Sequence, residues 1–197
     1  MKAPRAIRLL LDINILVSDV LSRARRRRGT ASQKLVDAVL AGKLGETAIQ
    51  LVVSIPMLDR FQEVLLRLGA EASDAEAARL ALIDLARSGP DALDPYLLLD
   101  RSDILFPLAD EEDAGVLATA FAARADLLVT DNLNDFAAAG GTITNTSMAR
   151  HSDGRMRQLT RQVLLSPSGH SLAIAHPLDV LAAANMATLA YIEQSNE

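Results

Sequence analysis

The sequence predicts an α/β domain built on a mainly parallel sheet, and three observations predict it. Three short runs, IRLLL at 7–11, QLVV at 50–53 and LLVT at 127–130, read as buried strands. They alternate with segments whose apolar residues recur at helical spacing, which is the pattern of a parallel sheet with helical crossovers. Half of the 197 residues are hydrophobic, enough to fill a core and to exclude a fully disordered chain.

The elements follow in order. The Ile7–Leu11 strand is followed at once by Asp12, and Ile13 to Leu21 is apolar enough to start a helix. That helix meets Arg23, Arg25, Arg26, Arg27 and Arg28, five arginines in six positions, before Gly29 breaks it. Thr30 or Ser32 caps the next helix, which runs to about Leu40 and stops at Gly42. After the strand at 50–53, Ser54 is a good N-cap, and Pro56 sits in a first turn, where a missing N–H costs nothing. Leu58, Phe61, Leu65 and Leu68 give that helix its apolar stripe, and Gly69 ends it. Ser73 or Asp74 opens another helix to about Arg87, stopped by Gly89-Pro90. Residues 88–103 are turn-rich and read as an irregular surface connection. Residues 104–108 read as an edge strand, because Pro107 cannot donate to a ladder. Asp110 opens an Ala-rich helix with Glu111, Glu112 and Asp113 in its first turn, and Ala125-Asp126 leads into the strand at 127–130.

After Gly140-Gly141 the pattern changes. Residues 144–161 are polar and carry Arg150, Arg155, Arg157 and Arg161, a second and weaker basic patch. Residues 162–165 and 172–174 flank Ser166-Pro167-Ser168-Gly169 as a hairpin. Pro177 leads into a last helix from Leu178 to about Ile192. The expectation is a single domain over 1–197, with a core at about 7–136 and a C-terminal hairpin-plus-helix elaboration at about 140–197.

Composition removes several function classes. With no Cys and three ungrouped His, thiolate metal sites, disulfide frameworks and cysteine nucleophiles are excluded. Aromatics make up 3% of the chain, which argues against binding single strands mainly by base stacking. Asp12 and Asn14 interrupt the only apolar stretch near the start, so no signal peptide is expected, and no run is long enough to span a membrane. A cytoplasmic protein is the expectation. The net charge of −5 requires any nucleic-acid contact to come from a local basic patch. A mean hydropathy of +0.18 suits either a homodimer or a well-filled core.

The carboxylates are the informative residues. Asp12 and Asp131 each follow a predicted parallel strand, so both fall at the carboxyl edge, where such sheets bind ligands. Asp113 lies in the first turn of the helix that leads down from that edge to the strand before Asp131. Topology therefore brings three acids together. Two carboxylates about 5 Å apart repel by roughly 3 kcal/mol at an effective dielectric near 20. Either one takes a proton or a divalent cation sits between them. An all-oxygen donor set suits Mg²⁺ or Mn²⁺. The matching chemistry is metal-assisted attack of water on a phosphodiester.

LLLDINILVS and DEEDAGVLATAFAARADLLVTDNLNDF resemble the PIN-domain family, in particular its VapC-like toxin branch. The matching residues are Asp12 and Asn14, the acid-rich segment Asp110–Asp113, and Thr130, Asp131, Asn132, Leu133, Asp135 and Phe136. The resemblance covers about 7–136 and the strand and helix around His176-Pro177-Leu178. It implies a three-layer α/β/α fold, metal-dependent endoribonuclease activity on RNA and a cognate antitoxin protein in a type II toxin–antitoxin pair. Carried over by position, Asp12, Asp113 and Asp131 bind metal, Asn14 holds Asp12 or a water, and Asp135 is a supporting or alternative ligand.

One position departs from that pattern. Where the family usually has Glu in the helix after the second strand, matching on Phe61 and Val64-Leu65 places Arg60. Asp59 and Glu63 are the nearest acids, and Glu63 can equally pair with Arg67 on the helix surface. Arg60 is expected to contact phosphate, beside Arg25, Arg26, Arg27 and Arg28 as the main nucleic-acid patch. The alternative reading is a PIN-like module that binds nucleic acid or protein with cleavage lost or weakened. A haloacid-dehalogenase-type phosphatase is disfavoured because Asn14 stands where its general acid would be.

Overall fold

Ile7–Leu11 forms β1 at the centre of the sheet, and its last three leucines are wholly buried. The computed structural model describes residues 6–88, 98–99, 108, 110–137, 139–150, 154–166 and 169–185. After β1 come α1 (Ile13–Ala24), α2 (Ala31–Ala41), the short β2 (Lys43–Leu44) and β3 (Thr47–Ser54). Next are α3 (Ile55–Arg67), α4 (Ala72–Ser88), β4 (Leu98–Leu99), α5 (Glu111–Ala122), β5 (Leu127–Val129) and α6 (Leu133–Ala137). The chain closes with β6 (Thr142–Arg150), β7 (Met156–Leu165), β8 (Ser171–Ala175) and α7 (Pro177–Asn185).

The strand order is β2-β3-β1-β5-β8-β7-β6, with β4 pairing β3. The central β3, β1, β5 and β8 run parallel, and β2, β7 and β6 pair antiparallel at the margins. This is the α/β fold the sequence predicts. Buried Leu, Ile and Val from β1, β3, β5 and β8 pack with Leu16, Leu35, Phe61, Leu65, Leu117 and Phe136 in one continuous core. The strands are mainly apolar because neighbouring layers cover them. Among the described residues no helix is long and apolar enough to cross a membrane.

The helix ends form where the sequence marks them. Thr30 caps α2 in a reciprocal box: its hydroxyl accepts from Gln33 N, and the Gln33 side chain accepts from Thr30 N. Ser54 accepts from Met57 N at the start of α3, whose Met57, Leu58, Phe61 and Leu65 are buried. Leu68, expected on the same stripe, is more than half exposed because it lies past the last turn. Gly45, between β2 and β3, takes φ +61°, and a Cβ there would stand 2.8 Å from the Ala184 carbonyl oxygen of α7. Both the turn and the approach of α7 need glycine.

α1 ends in a Schellman motif. Arg26 N–H donates to Arg23 O and Arg27 N–H to Ser22 O, and Arg26 takes φ 54°. An arginine thus occupies a left-handed position that glycine fills at lower cost. Arg26→Gly should stabilise the protein by about 1 kcal/mol. An unchanged or lower urea midpoint would show that the arginine side chain itself supports the turn.

Three segments differ from the sequence reading. Leu98–Leu99, inside the expected irregular connection, adds a parallel strand to β3 at Val53 and Ser54. The polar stretch from 144, to which the sequence reading gave no element, forms a long antiparallel ribbon of β6 and β7, and β7 continues into the expected hairpin with β8. The edge strand expected at 104–108 falls, apart from Leu108, outside the described residues, as does the last helix beyond Asn185.

Candidate active site

Parallel pairing aligns the carboxyl ends of three strands. Leu11 is in register with Val129, and Val129 with Ala175. The next residues are therefore neighbours: Asp12 after β1, Thr130-Asp131 after β5 and His176 after β8. The chain leaves β1 toward β3 and later returns on the opposite side as β5. That reversal makes the end of β1 a topological switch point, the usual ligand crevice of such sheets.

Asp12 is 4% exposed. Its backbone N–H donates to Val129 O at 3.0 Å, which extends the ladder and fixes the carboxylate at the edge. The Thr130 hydroxyl donates to Asp12 Oδ2 at 2.7 Å, and Asn14 Nδ2 donates to the same oxygen at 3.4 Å. The Thr130 hydroxyl in turn accepts from Asn132 N at 3.0 Å. Burial pushes the Asp12 carboxyl up, and hydrogen bonds from Thr130, Ile13 and Asn14 oppose that shift.

Asp113 comes from α5. Asp110 caps this helix by accepting from Glu112 N, and Val116, Leu117, Ala120 and Phe121 are buried. Acids in the first turn suit the helix dipole, yet here they crowd one another. The Asp113 carboxyl is pushed up to about 6, first by desolvation and then by Asp135, Asp110, Asp12 and Glu112. Asp113 therefore binds a proton in the folded state that it has lost in the unfolded state between about pH 4 and pH 6. The stability it contributes is present at low pH and is lost as the pH rises through 6. Comparison of wild type with Asp113→Asn by urea unfolding from pH 4 to 7 should isolate that decline. Parallel pH profiles for the two proteins would remove Asp113 from the crowded edge.

The charges of Asp135 and Asp12 both reach Asp113. Leu133 and Phe136 anchor α6 in the core, so Asp135 stays outward, where Asn132 Nδ2 donates to it. Asp131 turns to another neighbour. Its Oδ1 lies 3.3 Å from His176 Nε2. Leu178 N–H donates to His176 Nδ1 at 3.1 Å, so the neutral ring carries its proton on Nε2, facing Asp131.

The charges of α3 are engaged elsewhere. Asp59 accepts from Arg79 of α4 at 2.9 Å. Arg60 reaches Glu112 of α5 at 2.8 Å and Glu63 at 3.3 Å, so Glu63 pairs with Arg60 and not with Arg67. Arg60 thus faces the acidic edge and brings a cation to it. Of the main arginine cluster, Arg23 is held by Asp19 and Asp37. Arg25, Arg26, Arg27 and Arg28 are exposed, with no ion pair among the described residues. In the second basic patch, Arg161 is paired with Asp179 and is not a free surface cation.

Two side chains at this edge were not singled out as site residues by the sequence. Thr130 and His176 both follow parallel strands directly, and that position was the available signal. The donor set is all oxygen with one imidazole, chemistry that fits a hard divalent cation. As the side chains stand, no three acids or histidines among the described residues group closely enough to hold one. Asp131 on His176 and Asp135 on Asn132 would have to swing inward.

Residues 8–134, well over half of the chain, match the family model described as PIN domain. Neither a curated protein nor a solved structure matches the chain.

Proposed function

The chain belongs to the PIN-domain family, whose members are generally nucleases that use divalent metals, and on that premise we propose that it is a metal-dependent endoribonuclease. The observation that carries this reading is the crowded carboxylate edge, where burial and then the neighbouring acids push the Asp113 carboxyl up to about 6 beside the buried Asp12. When bound, Mg²⁺ or Mn²⁺ supplies the Lewis acidity that phosphodiester hydrolysis needs. Asp12, Asp113 and Asp131 would hold it, with Asp135 as an additional acid. Thr130 and Asn14 orient Asp12 through their hydrogen bonds, and His176 holds Asp131. RNA as the substrate, the toxin role and a cognate antitoxin partner are inferred from the resemblance of 7–136 to the VapC-like branch.

Incubation of the purified protein with RNA and Mn²⁺, beside a chelator control, tests the reading. Cleavage that the chelator abolishes is the expected result. Cleavage unaffected by chelation, or metal binding without cleavage, would overturn it.

One observation favours the alternative of a binding module with weakened cleavage. Arg60 places a cation against Glu112, next to Asp113, where it competes with a metal ion for the acids. In that case Arg60→Glu should raise cleavage, and an unaltered rate would leave this alternative without its support.

A further inference from the structure

The basic turn after α1 and the acidic edge before it are joined by one groove. A cavity of about 200 Å³ lies along α1 and is lined by Asn14, Ser18, Ser22 and Arg25, with Val17 and Leu21 between them. These positions recur every three or four residues, so they form one stripe of the helix. Arg27 completes the lining. The Schellman turn folds Arg27 back toward α1, and Gln33 of α2 fixes its backbone by donating to its carbonyl at 2.7 Å. At the opposite end Asn14 hydrogen-bonds Asp12, so the groove opens onto the candidate active site.

The lining contains two arginines, small polar groups and no acid, on a protein whose net charge is −5. Arg25 and Arg27 have no ion-pair partner among the described residues, whereas Arg23, off this stripe, is fully engaged. Arg26, between the two, keeps its place at the cost of a left-handed backbone, and such strain is commonest where a site needs it. We propose that this groove is the path of a single RNA strand, whose phosphates are gripped by Arg25 and Arg27 while the strand runs along α1 to the carboxylates. The inference rests on the nuclease reading above and adds a ruler to it. Asn14 and Arg25 are three turns apart, about 16 Å along the axis. A stacked strand rises about 3.4 Å per nucleotide along its axis, so the groove spans at most about five nucleotides, and fewer if the strand is extended. Recognition by the backbone is consistent with the scarcity of aromatic residues and gives little sequence preference.

The test is binding of fluorescein-labelled oligouridylates of two, four, six and eight nucleotides, measured by anisotropy in chelator so that nothing is cut. Affinity should rise with length to about six nucleotides and then level. R25Q/R27Q should lose about tenfold in affinity for the longer strands, lose the gain with length, and show a salt slope smaller by roughly one to two. R67Q, at the end of α3 and outside the groove lining, should change affinity less than threefold, a small surface-charge effect. Length dependence that survives in R25Q/R27Q would overturn the groove while leaving the nuclease reading intact. No RNA binding by the wild type would overturn both. Tighter binding of a decaglutamate peptide than of octauridylate would assign the groove to an acidic protein tail and overturn the RNA path.

Discussion

Asp12→Asn should abolish metal-dependent RNA cleavage, by about a thousandfold or more, while the protein stays folded and still binds RNA. Loss of a ligand that helps stabilise charge at a phosphodiester costs several kcal/mol of transition-state stabilisation, which corresponds to a factor of that order. The fold should tolerate the change. Thr130 and Asn14 both donate to Oδ2, and an amide oxygen can accept both bonds. Burial already disfavours the charge at this position, so removing it offsets the hydrogen bonds that an amide nitrogen cannot accept from the backbone. Metal-free stability should remain within about 1 kcal/mol of wild type. The rise in melting temperature on adding Mn²⁺ should vanish, because no ion is then held by the native state. Cleavage within tenfold of wild type, measured on the same RNA, would remove Asp12 from the reaction. Loss of binding together with loss of cleavage would mean that Asp12 supports the groove and not the chemistry. Asp12→Asn and R25Q/R27Q are thus expected to separate turnover from binding at the two ends of one helix.

The parallel half of the sheet was legible because its strands are covered on both faces. IRLLL, QLVV and LLVT need no alternation to be recognised, and the first and third are followed by the aspartates of the edge. The ribbon of β6 and β7 was not legible for the opposite reason. Ile143, Met148 and Met156 are more than half exposed, and the buried Leu159, Gln162 and Leu164 of β7 keep no strict alternation, so no period of two marks its sequence. At the edge, topology correctly returned the chain to one place, but it could not say where each side chain turns. Asp131 was expected to meet Asp12 and Asp113, and it instead faces His176. The acid whose charge reaches Asp113 most strongly is Asp135. A two-residue shift past the end of a strand changes which side chain faces the crevice, and spacing alone does not resolve it. Arg60 shows the same limit: its place in the helix was clear, but its partner, Glu112, lies on a different element and is invisible to local pattern.

Asp179→Ala is expected to have the largest effect on stability, about 3 kcal/mol lost. Asp179 in the first turn of α7 accepts from Arg161 of β7 at 2.8 and 2.9 Å. Both side chains are nearly buried, 12% and 10% exposed, so water cannot replace the missing partner. Removing only the carboxylate takes a counter-charge from a guanidinium that has little solvation. This makes the loss larger than the net contribution of the pair itself. A double variant, Arg161→Leu with Asp179→Leu, should therefore recover most of the stability, because neither charge is then buried. The same substitution tests the architecture of the edge. Asp179 N–H donates to His176 O, and Leu178 N–H donates to His176 Nδ1, so α7 helps set the ring that faces Asp131. A urea midpoint lowered in Asp179→Ala and restored in the double variant would establish a buried pair that docks α7 on the sheet. A loss below 1 kcal/mol would mean that water reaches Arg161 and that α7 is held by its apolar contacts instead. Such contacts are available: Val180 is wholly buried, and Ala184 meets Gly45 across the turn between β2 and β3.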